Sequence, residues 1–258
     1  MSKRQIDFAS LYSRQIAIEC LGERGQRKLM SSRVAIVGIG GLGSASSTYL
    51  ARSGVGFLRL IDGDRVEVGN LHRTALFSPD DVDRPKAEVA EESIKKAVPS
   101  VELDAVVNEL TKSNAESLLG DVDVVVDGLD NMRSRHVVNS ACVRMGKPYV
   151  YGAVLAMEGN VSVFHAPDTP CLMCVTPGID DTVIARPEDR GVLGPAPGLI
   201  GTIQAIEVIK LLAGIGGTLK GKLLMCDFTN MDFYAIQVSK RPECNTCGSG
   251  TQLGRESG

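Results

Sequence analysis

The sequence predicts an α/β fold, a mostly parallel sheet flanked by helices with an antiparallel portion toward the C-terminus. Three observations carry this. A β-branched run at 34–37 breaks into Gly38-Ile39-Gly40-Gly41-Leu42-Gly43 and then into a small-residue helix at 44–52, the strand, glycine turn and helix start of a dinucleotide-type unit. Apolar runs and helical patterns then alternate as far as residue 154, which demands crossover connections and so parallel pairing. From 159 onward the alternation stops, and strand-like runs adjoin two CxxC pairs, Cys171/Cys174 and Cys244/Cys247.

In chain order, 8–30 reads as helical, with Leu11, Ile16, Ile18, Leu21 and Leu29 as apolar anchors. Arg14 lies inside it in Tyr12-Ser13-Arg14-Gln15, and by itself reads as a solvated helix charge. The glycines of the turn supply a tight bend, close backbone approach to phosphate and close helix packing. The second strand, 57–61, ends on Asp62, about twenty residues past the last glycine, where such folds place an acid for ribose hydroxyls. The polar stretch 66–83 is too long for an ordinary link. A helix over 86–97 follows, with Pro85 at its entry and Pro99 as its stop. A strand at 101–107, a helix at 113–119 and a strand at 122–126 lead to Asp127-Gly128-Leu129-Asp130-Asn131. Ligands of open parallel sheets lie beyond the carboxyl ends of the strands, so Asp130 shares a rim with Gly41 and Asp62. The remaining expectations are a helix at 134–145, strands at 149–154 and 159–164, and a crossing loop at 176–197. A helix at 199–213 follows, apolar on nearly every side and hence expected to be buried, then a strand pair at 223–226 and 233–238.

Composition narrows the function classes. The 258 residues carry 28 basic and 31 acidic side chains, a formal charge of -3, which leaves no basic footprint for nucleic acid and no attraction to a membrane surface. The charge-free stretch 34–51 is broken by glycine and serine, and the apolar run near Leu199 carries Glu207 and Lys210, so neither is expected to span a bilayer. Met1-Ser2-Lys3-Arg4 lacks the apolar core of a signal peptide, and a cytoplasmic location is expected. Domain organisation reads as one unit over 1–247, with an N-terminal helical segment 1–31, a nucleotide-binding half 32–165 and a zinc and crossing-loop half 166–247. The polar, glycine-rich 248–258 is expected to be a disordered tail.

Seven cysteines, four of them in CxxC pairs, favour a metal over a disulfide framework. A CxxC turn sets two thiolates on one tetrahedral edge, so Cys171, Cys174, Cys244 and Cys247 would close a structural zinc site with no open position. A redox CxxC fits poorly, since neither pair opens a helix in a thioredoxin-like unit. Cys20, Cys142 and Cys226 lie in apolar segments and are expected to be buried. The nucleotide candidates are Gly38, Gly40, Gly41, Gly43, Asp62, Asp64, Asn70, Arg73, Lys86, Asp130 and Asn131. An amide and two cations after the acid suit a triphosphate better than a nicotinamide dinucleotide, and Asp130 suits the magnesium that a triphosphate brings. His72 stands beside Arg73 and could touch ligand, while His136 and His165 read as packing or surface residues. A nicotinamide-dependent oxidoreductase would use the glycine turn and Asp62 but would leave Arg73, Lys86 and Asp130 without a task. A non-catalytic scaffold is the other alternative.

Taken together, the residues resemble the ThiF/MoeB/HesA family, prokaryotic relatives of ubiquitin-activating enzymes, with a MoeB-type pattern. The resemblance rests on Tyr12-Ser13-Arg14-Gln15, the glycine turn, Asp62, Asn70-Leu71-His72-Arg73, Pro85-Lys86, Asp130-Asn131, Met157-Glu158-Gly159, both CxxC pairs and the helix ending near Gly214. It implies a Rossmann-like fold and ATP-dependent adenylation of the C-terminal glycine of a ThiS- or MoaD-type sulfur carrier ending in Gly-Gly. Gly41 would lie against the nucleotide, Asp62 would hold the ribose, and Arg73 and Lys86 would neutralise phosphates. Asp130 would bind Mg2+, and Arg14 would act in trans within a homodimer. The chain departs from the family twice. Thr74 stands where glutamine is frequent, and the crossing-loop cysteine position falls near Pro187, with no cysteine between Cys174 and Cys226. The expectation is an enzyme that stops at the acyl adenylate and leaves sulfur to a separate donor. A relative acting on a non-protein carboxylate or a tRNA-borne group is the alternative within the family.

Overall fold

The computed structural model describes residues 7–182 and 190–248. The Pro187 position, and the expected tail beyond Gly248, lie outside the described residues. Eight strands form one sheet in the order β3-β2-β1-β4-β5-β6-β7-β8. β1 (Arg33–Val37), β2 (Phe57–Ile61), β3 (Glu102–Val106), β4 (Val124–Asp127) and β5 (Tyr149–Leu155) pair in parallel. β6 (Glu158–Phe164), β7 (Lys222–Asp227) and β8 (Asp232–Gln237) continue the sheet antiparallel. Strand order reverses between β1 and β4, and the crevice that opens at such a reversal is where these sheets bind ligands.

Burial on both faces explains the unbroken apolar runs. Val34 and Ile36 of β1 face one layer with Leu58 and Leu60, beneath Leu50 of α4 (Gly41–Arg52), Ile94 of α5 (Lys86–Ala97) and Val208 of α9 (Pro195–Ala213). Ala35 and Val37 face the other, with Leu119 of α6 (Ala115–Leu119) and Val138 and Cys142 of α7 (Met132–Met145). This is the two-residue period of a strand.

Three expectations are corrected. The N-terminal helix is three pieces, α1 (Phe8–Leu11), α2 (Ser13–Ile16) and α3 (Gly22–Ser31), because Tyr12 at φ -100° and ψ 13° leaves the helical basin between the first two and Gly22 at φ +57° leaves it at the start of α3. In the turn before it Leu21 is buried while Cys20 is exposed; Cys142 and Cys226 are buried as expected. Finally, α9 begins at Pro195, not at 199, since the first helical turn tolerates proline's missing N–H. It buries Ile200, Gln204, Ala205 and Val208 but leaves Leu199 38% and Ile206 50% exposed. The helix is long and apolar enough to cross a membrane. Here it packs on α4, β5 and β6, with the buried carboxylate of Glu207 accepting from the Leu219 amide at 2.7 Å, as a core helix does.

Candidate nucleotide and metal sites

The stretch 66–83 contains two 3-10 turns, Val68–Asn70 and Pro79–Asp81, and contributes Asn70 and Arg73 to the lining of a cavity of about 370 Å³ at the carboxyl ends of the parallel strands. The glycine turn forms one wall. Gly38 has φ +89°, and a Cβ there would lie 2.6 Å from the Gly128 carbonyl. A Cβ on Gly43 would lie 1.9 Å from the Gly38 carbonyl, so α4 closes on β1 only because both positions lack side chains. Asp62 ties the turn down. Its Oδ2 accepts from the Ile39 amide at 2.6 Å and its Oδ1 from the Asp64 amide at 2.8 Å. Burial raises its pKa, against the opposing pull of the Lys86 charge and the two amides. Lys86, at the first position of α5, donates to Asp64 at 2.9 Å.

Asn70 is buried and its Oδ1 accepts from the Glu67 amide at 3.0 Å. The next turn is held from beneath, where the buried Thr74 hydroxyl donates to the Asn70 carbonyl at 3.0 Å. Arg73 donates to the Gly69 carbonyl, and His72 Nδ1 lies 2.9 Å from the same oxygen. On the facing wall, Asn131 caps α7 by accepting from the Ser134 amide at 2.8 Å, and its Nδ2 donates to Asp130 at 3.1 Å.

Gly38, Gly40, Gly41, Asp62, Asp64, Asn70, Arg73, Lys86, Asp130 and Asn131 therefore line one cavity. Two candidates lie elsewhere. Gly43 sits beneath the turn, and Arg14 stands exposed on α2, outside the cavity lining.

Sequence reasoning missed the layer that supports this rim. Asp127, fully buried at the end of β4, accepts from Tyr149 Oη at 2.6 Å, Leu129 N at 2.9 Å and Arg135 Nε at 3.1 Å. Burial raises its pKa, opposed by the Arg135 charge. Arg135 also donates to the Leu129 carbonyl at 2.6 Å and the Gly152 carbonyl at 3.1 Å. Gln204 of α9 donates to the Asp127 and Val150 carbonyls at 2.7 and 3.1 Å. The signal was available, because Met132, Arg135, Val138, Asn139 and Cys142 form one helical stripe, and an arginine on an apolar stripe needs a buried partner. Asp181 was missed as well; its carboxylate accepts from the Met132 and Arg133 amides at 2.6 and 3.1 Å. No periodicity could have linked it to a helix 49 residues away.

The four CxxC thiols come together across the fold. Cys171 Sγ is 3.7 Å from Cys244 Sγ, Cys174 Sγ is 3.4 Å from Cys247 Sγ, and all four lie within 4.8 Å of one another. Sulfurs on a tetrahedron of ~2.3 Å metal bonds stand roughly 3.8 Å apart, so the donor set fits a metal. Cys171 caps a single helical turn, α8 (Leu172–Val175), which follows the antiparallel strand β6 and is not the helix of a thioredoxin-like unit. That turn is fixed by the Leu172 amide donating to Asn139 at 2.9 Å, and the Arg241 amide points at Cys174 Sγ at 3.4 Å.

Comparison with known proteins agrees with this architecture. The chain is 39% identical over 243 residues to a sulfur carrier protein adenylyltransferase of Thermus thermophilus, covering 92% of this chain and 90% of that protein. It is 40% identical over 240 residues to the SAMP-activating enzyme E1 of Haloferax volcanii, covering 93% and 88%. Against the adenylyltransferase and sulfurtransferase MOCS3 of Drosophila sechellia it is 39% identical over 245 residues, 94% of this chain but 54% of that protein. The crystal structure of E. coli MccB with MccA-N7isoASN superposes with a TM-score of 0.82 at 24% identity, covering 92% of this chain and 75% of that one, a likeness of fold. The sequence profile of the ThiF family matches residues 12–246, and the chain belongs to that family, on its MoeB-type side.

Proposed function

We propose that the chain adenylates the C-terminal glycine of a ubiquitin-like sulfur carrier of the ThiS or MoaD type, consuming ATP and releasing pyrophosphate. Its enzyme class is that of its named relatives, adenylyltransferase. The observation that carries the reading is the gathering of the glycine turn, Asp62, Asn70, Arg73, Lys86 and Asp130 around one cavity. A nicotinamide oxidoreductase needs only the first two.

In the reaction a carrier carboxylate oxygen forms a bond to the α-phosphorus, the bond from that phosphorus to the bridging oxygen breaks, and pyrophosphate leaves with its electrons. No protein nucleophile is required. Gly41 and the N-terminus of α4 present backbone to phosphate, Asp62 accepts from ribose, and Asn70, Arg73 and Lys86 hold and neutralise the phosphates. Asp130 is the carboxylate suited to magnesium, which supplies charge neutralisation on phosphate oxygens. Lys86 is already oriented by Asp64, so little reorganisation is needed at the moment of reaction.

The four thiolates would hold zinc as a structural clamp joining the segment after β6 to the C-terminal end of the described chain. Arg14 is assigned to a neighbouring subunit's nucleotide, since it is exposed and outside its own cavity. The exposed apolar residues Leu199, Ile206 and Tyr49 suit the homodimer this requires. With no cysteine between Cys174 and Cys226, the product is the acyl adenylate, and a separate protein delivers sulfur in the cytoplasm.

A thermal-shift comparison tests the ligand class. Magnesium ATP should raise the unfolding midpoint of the wild type and not of Lys86→Ala, and NADH should leave both unchanged. Protection by NADH alone would defeat the reading.

A further inference from the structure

We propose that the side-chain amide of Asn160 binds the backbone of the carrier tail in the cavity, its Oδ1 accepting an N–H of one of the last two residues. This rests on the reading of the substrate as a protein C-terminus.

Asn160 lies in β6, directly opposite Ala153 of β5 and Met225 of β7. Directly opposed residues share a face of the sheet, so Tyr151, Ala153 and Leu155 with Glu158 and Asn160 make one wall, and all five line the cavity. On that wall Asn160 Oδ1 is buried and has no hydrogen-bond partner among the described residues, whereas Ser162 of the same strand donates to the Lys222 carbonyl at 2.7 Å. A buried carbonyl without a donor is costly, and a ligand carrying an N–H removes that cost. The carboxamide turns about a soft terminal torsion, so a donor entering the cavity can draw the oxygen toward it.

The adenine amino group is not that donor. Asp62 closes β2 and Asn160 belongs to β6, with β1, β4 and β5 between them, four steps of ~4.8 Å or about 19 Å. Adenine is attached directly to the ribose that Asp62 would hold, so it stays on the β2 and β3 side. The β5–β6 end is left for the second substrate. An extended peptide there offers backbone N–H groups, and a glycine tail has no side chain, leaving its backbone and carboxylate as the groups to grip.

Asn160→Leu keeps a similar volume and removes the hydrogen bond. The expected result is about a tenfold rise in KM for a MoaD-type carrier ending in Gly-Gly, with the carrier-free dissociation constant for magnesium ATP unchanged. A carrier made by semisynthesis with N-methylglycine at each of the last two positions in turn probes the contact on unaltered enzyme. At one position the wild type should lose about tenfold, and Asn160→Leu should lose nothing further. Weakened ATP binding, an unchanged carrier KM, or an equal loss in both enzymes would overturn the assignment while leaving adenylation standing. Absence of wild-type turnover with any Gly-Gly carrier would remove both.

Discussion

Arg135→Met tests the buried layer that carries the active rim. Methionine fills much of the space but removes the charge and three donor contacts, to Asp127 at 3.1 Å, Leu129 at 2.6 Å and Gly152 at 3.1 Å. Asp127, 0% exposed, then keeps only Tyr149 Oη and the Leu129 amide. Breaking a buried pair by removing one partner costs about 3–5 kcal/mol, which in a chain of this size is a fall of roughly 10 °C in the unfolding midpoint. Burial already raises the Asp127 pKa against the pull of Arg135; without that pull it rises further. A folded-state pKa raised above the unfolded value favours the fold at low pH and loses that contribution as pH rises through it. The deficit should therefore be larger at neutral than at mildly acidic pH, shrinking as pH falls through the raised folded-state value, and Asp127→Asn combined with Arg135→Met should recover part of it. Urea denaturation of the wild type, the two single variants Arg135→Met and Asp127→Asn, and the double variant at both pH values is the assay. A loss under about 1 kcal/mol, or one that is the same at both pH values, would refute the reasoning. The Leu129 carbonyl precedes Asp130, so the folded variant should also bind magnesium ATP more weakly.

Further predictions concern the individual groups. Burial raises the Asp62 pKa, with Lys86 and two amides opposing it, so nucleotide affinity should fall as pH drops through a value above 3.8, the ordinary value for the group. The stability contribution has the opposite sign, present below 3.8 and lost as pH rises through the folded value. Asp62→Asn should flatten the binding profile in a fluorescent-nucleotide titration, and an unchanged acid limb would assign it to another group. Metal analysis should find about one zinc per chain; Cys174→Ser should lower both the metal content and the unfolding midpoint, and a metal-free chain of equal stability would contradict a structural role. On a non-reducing gel after incubation with carrier and ATP, no thiol-sensitive enzyme–carrier band should form; such a band would show that the chemistry continues past the adenylate.

The nucleotide half of the fold was legible because its signals are local. Strand periodicity, the glycine turn and Pro85 each act within a few residues, and the residues expected for β2 match the observed strand at both ends. The rim of the site followed from topology, since strand ends in a parallel sheet converge. Less legible was what depends on partners distant in sequence. Arg135 drew no reading of its own until the fold set Asp127 beside it, and Asp181 meets α7 only through the folded chain. Asn160 carries no motif of its own, and only its missing partner distinguishes it. The N-terminal helix was overextended because Tyr12 and Gly22 break a ladder that the apolar pattern alone would continue.

Isotope exchange between pyrophosphate and ATP tests adenylation most directly, run with and without carriers ending in Gly-Gly and with an Asp130→Ala control. The account predicts exchange that requires one carrier and disappears in Asp130→Ala. ATP binding without exchange for any carrier would contradict it, and would turn attention to a non-protein carboxylate or to a scaffold role.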